Sequence, residues 1–153
     1  MTDKELAPEL YELLNGRDLS SKQQEALVLM TVSEDGWPHT AMISVGEIVA
    51  ISQNSLRLGL WPGTVTTGNI LRTGKATLAA FYAGKAFYIR LQLRPLAELS
   101  GAKHPRLRFE AQVISCKADT AKYADIVSGV QIVLHDPEAV VTRWEETVEE
   151  LLR

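Results

Sequence analysis

Cysteine is nearly absent. Cys116 stands alone in the chain, so no intramolecular disulfide can form and a multi-cysteine metal site is excluded. It falls in an apolar strand pattern, where a buried and inert thiol is expected. No apolar run approaches membrane-spanning length. The N-terminus is acidic and has no signal-like apolar core, which fits a cytoplasmic protein. Positive charge is not in excess either. The net charge of -3 gives no global attraction to nucleic acid or an anionic membrane. There is no Ser-His-Asp order, no carboxylate pair in a supporting context and no glycine-rich phosphate loop, so hydrolase and nucleotide-kinase chemistry have no residues to carry them. His104 and His135 lack the spacing of a metal site, and no metal is expected. Repeats, low-complexity tracts and linkers are missing too. The 153 residues therefore read as one domain, 1–153, long enough to bury a core.

What is present is organised around Leu56 to Phe81. Leu56, Leu58 and Leu60 alternate with Arg57, Gly59 and Trp61, the period of a strand with one buried face. Pro62 and Gly63 stop that strand. Thr64 to Thr67 follow, ahead of a helical apolar patch at Val65, Ile70 and Leu71. Thr64 or Thr66 can cap the helix, because a threonine oxygen accepts from first-turn amides that have no partner of their own. Gly74 ends the helix and Lys75 to Phe81 resumes as a strand. Free amides and hydroxyls at a helix start can hold an anion such as phosphate; equally, the threonines can simply cap.

Residues 3–14 read as an amphipathic helix with Thr2 or Asp3 as cap, Leu6, Leu10, Leu13 and Leu14 on one face, and Asn15-Gly16 as terminator. Arg17 to Gln24 is a loop or a short helical turn. Ala26 to Val32 is apolar apart from Thr31, which predicts a strand buried on both faces. Ser33-Glu34-Asp35-Gly36 is a hairpin turn, and Pro38 to Ser44 returns as its antiparallel partner. Glu47 to Ile51 is a strand or a helical turn. Ala86 to Arg94 alternates cleanly, with Phe87, Ile89, Leu91 and Leu93 inward and Tyr88, Arg90 and Gln92 outward. Leu107 to Ala118 is a long strand, Asp119 to Asp125 has room for a helical turn, and Val127 to Leu134 is read as a final strand. Asp136-Pro137 opens a C-terminal helix over 137–152. Its apolar stripe is Val140, Val141, Trp144, Val148, Leu151 and Leu152, with Glu145, Glu146, Glu149 and Glu150 in solvent.

Six or seven strands joined by hairpin-length turns, with one helix inserted and helices at both ends, describe a mainly β protein: an antiparallel barrel over about 24–135. Trp61 could wall a flat cofactor or pack in a core or interface, and His39 could face a ligand or solvent.

The order of elements, Ala26-Leu-Val-Leu-Met-Thr-Val-Ser-Glu-Asp-Gly-Trp-Pro-His39, and the unit from Leu56 to Phe81 resemble the pyridoxamine 5'-phosphate oxidase-like FMN-binding split-barrel family. In that family the first hairpin carries Asp-Gly-x-Pro, and a Ser-x-Lys turn precedes a helix with Asn-Leu. The resemblance covers roughly residues 24–95. It implies an antiparallel split barrel that dimerises and holds FMN in an interfacial groove, with the chemistry of an FMN-dependent oxidoreductase of unassigned substrate. Carried over by position, the serine becomes Thr64, the lysine becomes Thr66, and Asn69-Ile70 replaces Asn-Leu. The flavin-facing strand becomes His39, Thr40, Ala41 and Met42, continuing to Ser44, with the family's arginine at or beside Ala41. Leu60 and Trp61 complete the implied cofactor site. The chain departs from the family where charge matters, since alanine and threonine stand at the positions of its phosphate-binding cations. Hydroxyls, amides and helix dipole remain, together worth about 1–3 kcal/mol, and Arg57 or Arg72 is the nearby substitute cation. The alternatives are a cofactor-free dimer with a binding or structural role, or a groove for another flat cofactor such as haem or a deazaflavin.

Overall fold

The computed structural model describes residues 3–153. Seven strands build one antiparallel sheet: β1 (Ala26–Val32), β2 (Pro38–Ser44), β3 (Ile48–Ser52), β4 (Ser55–Leu60), β5 (Lys75–Tyr82), β6 (Lys85–Pro95) and β7 (Leu107–Asp119). Their spatial order is β2-β1-β5-β6-β7-β4-β3. Only residues 45–47 join β2 to β3, yet these strands are the two ends of the sheet. A connection that short forces the sheet to curl until its edges approach, and no ladder seals the seam. The result is a mainly β split barrel.

Strand chemistry follows alternation. On β6, Phe87, Ile89, Leu91 and Leu93 are buried while Tyr88, Arg90, Gln92 and Arg94 are exposed, as the sequence predicts. On β1 the prediction needs correction. Leu27, Leu29 and Thr31 are buried, but Ala26, Val28 and Met30 are half-buried and Val32 is exposed. The apolar stretch after Gly46 resolves as strand β3. Where β6 meets β7, Arg90 pairs with Ser115 and Leu91 with Val113, so Ile114 is the extra residue of a bulge and stands exposed.

Three helices flank the sheet. Helix α1 (Pro8–Leu14) begins at Pro8 rather than at residue 3. Proline supplies no N–H and a helix-ready φ, so it opens the helix; before it the chain is held away from helix by Leu6 N–H donating to the Gln53 carbonyl at 2.6 Å. The cap position is Ala7, so Asp3 does not cap, and Thr2 lies outside the described residues. Leu6, Leu10, Leu13 and Leu14 are all buried, as expected. Residues 17–24 hold a short 3-10 turn, Leu19–Lys22. Helix α2 (Val65–Thr73) bridges β4 and β5, and α3 (Pro137–Leu151) closes the chain, ending one residue before the expected bound. Asp136 caps α3 through Ala139 N–H at 3.4 Å.

Two further expectations are overturned. Residues 127–134 form no strand, and 119–125 form no helical turn; the ladder ends at Asp119. The segment keeps one isolated bridge, Glu25 to Gln131. Val127 and Val133 point into solvent, and Gly129 lies so close to Phe81 that a Cβ would clash. Ile132 and Leu134 are half-buried, Leu134 against the core, but no neighbouring strand extends the single bridge into a ladder among the described residues. On α3, Glu150 is buried rather than solvated. Its carboxylate accepts Lys103 N–H at 2.7 Å and His104 N–H at 3.1 Å, anchoring the loop between β6 and β7.

Candidate functional site

The turn into α2 is built by threonines. Thr64 is the N-cap; its Oγ1 accepts Thr67 N–H at 3.1 Å, and Thr67 Oγ1 in turn accepts Thr64 N–H at 3.2 Å. This reciprocal box satisfies two orphan amides. Among the described residues the Val65 and Thr66 amides find no acceptor. Thr66 itself is buried on the inner side of the helix, and Thr64 is exposed. The expected apolar patch of α2 reduces to Ile70, since Val65 and Leu71 are exposed. The inner face is polar instead: Asn69 Nδ2 donates to Thr31 Oγ1 at 3.0 Å and to Ser33 Oγ at 3.3 Å, pinning α2 to the end of β1. Gly74 takes a left-handed conformation and terminates the helix.

The four β2 residues divide between two faces, because strand side chains alternate. His39 stands opposite buried Thr31, and Ala41 opposite buried Leu29, so both lie on the inward side nearer α2. Thr40 stands beside Met30 and Met42 beside Val28, on the outward side. That outward face continues through Thr77 on β5 to Arg90 on β6. There it forms an open groove of about 590 Å³ whose lining includes Met30, Val32, Lys75, Thr77, Arg90 and Ile114. The volume lies within the roughly 300–1,000 Å³ of small-molecule sites.

Leu60 and Trp61 lie elsewhere. Leu60 is in the core, paired with Leu107 of β7. Trp61 is exposed, and the Arg106 guanidinium stacks 3.6 Å from its ring centroid, beside a second pocket. The two substitute cations also separate. Arg57 Nη1 is spent on the Leu151 carbonyl at 2.9 Å, against α3. Arg72 donates to the Val32 carbonyl at the rim of the outer groove. Burial pushes the half-buried Cys116 thiol up, towards the neutral form. Among the described residues, no three His, Cys, Asp or Glu side chains converge.

The sequence places Arg90 on the outward face of its strand, open to a partner subunit or a cofactor, and nothing in it singles out Lys75. Lys75 opens β5 directly opposite Gln92 of β6, and only the register brings it beside Arg90 at the groove.

No protein-family model matches the chain. The chain is 53% identical over 148 residues to the uncharacterized protein YclD of Bacillus subtilis, covering 97% of this chain and 96% of that one. Among solved structures, a pyridoxamine 5'-phosphate oxidase-like protein of Lactobacillus delbrueckii superposes with a TM-score of 0.60 at 16% identity, over 76% of this chain and 97% of its own. The flavin reductase of a Pseudomonas putida styrene monooxygenase superposes at 0.51 with 14% identity, over 65% of this chain and 81% of its own. At such identities the structural matches speak to fold. The chain belongs to one family with YclD, and its fold is that of the pyridoxamine 5'-phosphate oxidase-like FMN-binding split barrels.

Proposed function

We propose that the protein is a homodimeric flavoprotein that binds FMN in the outer groove and acts as an oxidoreductase. The observation that carries this reading is the groove itself, with Lys75 and Arg90 in its lining and Arg72 at its rim. These cations can answer a phosphate charge that Ala41 and Thr66 cannot. Around the groove, Val32, Met42 and Ile114 are exposed; a second copy of the chain would cover them and make an open half-site into a closed one. When bound, flavin supplies hydride or electron transfer at its ring. The chain's part is to hold the phosphate, to place the ring against Met30, Thr77 and the outward residues of β2, and to exclude water.

A second reading, a dimer without flavin, is favoured by the Thr64–Thr67 box, which commits both hydroxyls to the helix itself. A titration with FMN, followed by visible absorption and flavin fluorescence, separates the two. Saturable binding with Kd of about 10 μM or tighter, weakened about tenfold by Arg90→Ala, is expected. Absence of binding at tens of micromolar would remove the flavin reading and leave the second.

A further inference from the structure

A second pocket, of about 560 Å³, opens where the β2–β3 connection, the end of β4, the β6–β7 loop and α3 meet. It shares no lining residue with the outer groove. Two indoles form its apolar surface. Trp61 carries the Arg106 guanidinium over its ring, and Trp144 lies across Gly46, where a Cβ would run into the indole. Glycine at 46 is what lets this wall form.

Its charged groups are unevenly paired. Lys103 Nζ pairs with Glu146 at 2.5 Å, and the same carboxylate lies 3.6 Å from His104 Nε2, a buried nitrogen with no hydrogen-bond partner. That leaves two guanidiniums in the lining, Arg106 and Arg143, and one carboxylate, Glu47, while Glu150 acts on Arg106 from beyond the lining. Neither arginine is in an ion pair within 4.0 Å among the described residues. Burial raises the Glu47 carboxyl from its ordinary value, against the pull of the Ser44 amide and of Arg106. Burial pulls Arg106 down, the Glu47 and Glu150 carboxylates pull it back up, and Arg143 adds like-charge repulsion. Two guanidiniums lining one pocket, Arg106 partly desolvated and Arg143 exposed, attract an anion. Among the described residues neither guanidinium is spent on a carboxylate, and guanidinium forks match a carboxylate in a bidentate pair.

We propose that this pocket binds a carboxylate attached to a flat, apolar body, an aromatic acid, with the carboxylate between Arg106 and Arg143 and the ring against the indoles. The reading goes beyond flavin binding and stands whether or not FMN is bound, because the two cavities are separate.

Benzoate is the probe, with benzamide as its uncharged counterpart and inorganic phosphate as an anion without a ring. The chain has three tryptophans; Trp37→Phe, at an exposed turn, confines emission to the two that line the pocket. Benzoate should change that emission saturably with Kd of about 1 mM or tighter, and benzamide should bind at least about tenfold more weakly. Arg143→Ala, at an exposed position, should weaken benzoate about tenfold with the thermal midpoint unchanged. Equal binding of benzoate and benzamide, preference for phosphate, no saturable response, or an unaltered Kd in Arg143→Ala would each overturn the proposal.

Discussion

Glu150→Ala tests whether a buried carboxylate fastens the β6–β7 loop to α3. In the native fold its two oxygens accept the Lys103 and His104 amides at 2.7 and 3.1 Å. Hydrogen bonds to a charged acceptor are worth about 1.5–3 kcal/mol each, so two set an upper bound of about 3–6 kcal/mol. The loop is partly exposed, and once freed its amides reach water, which returns part of that loss. Removing a buried charge also lifts its desolvation cost. The net expectation is a loss of about 2–3 kcal/mol in urea unfolding, with an unchanged m-value. Glu150→Gln keeps one acceptor oxygen and should lose about half as much. Proteolysis should strike near residues 100–106 first in the alanine variant, because Glu150 is what ties that segment down. If Glu150→Ala lies within about 0.5 kcal/mol of wild type, the carboxylate does not anchor the loop.

Thr64→Ala removes the N-cap of α2 and should cost about 1 kcal/mol in the absence of any ligand, while Thr64→Ser is near neutral by the same urea assay; equal losses would mean the capping box contributes nothing. Gly46→Ala forces Trp144 off the β2–β3 connection and should cost about 1–3 kcal/mol with a red-shifted tryptophan emission; an unchanged spectrum and midpoint would show that the indole does not pack there.

The elements legible in the sequence are those fixed by neighbours along the chain. Asp35-Gly36 turns β1 into β2, strict alternation defines β6, and Asp136-Pro137 opens α3; each needs only local chemistry. The failures come from tertiary context. Glu150 sits among four glutamates that read alike, and only the loop packed on α3 singles it out for burial. Residues 127–134 are apolar enough for a strand, but Gly129 against Phe81 and two exposed valines leave them a single bridge. The candidate site divides the same way. The helix-start threonines were readable from order alone, and the structure resolves the choice of cap in favour of Thr64. The outer groove depends on the β5–β6 register, and the second pocket gathers Glu47, Trp61, Arg106 and Trp144 from distant parts of the chain. No periodicity announces such a meeting.

Sedimentation velocity of the protein with added FMN, read at a visible wavelength where only flavin absorbs, tests the central claim most directly. The account requires a coloured boundary moving at about twice the 16.9 kDa of one chain. Flavin left unsedimented above a colourless boundary of single-chain mass would contradict both the interfacial groove and the flavoprotein reading.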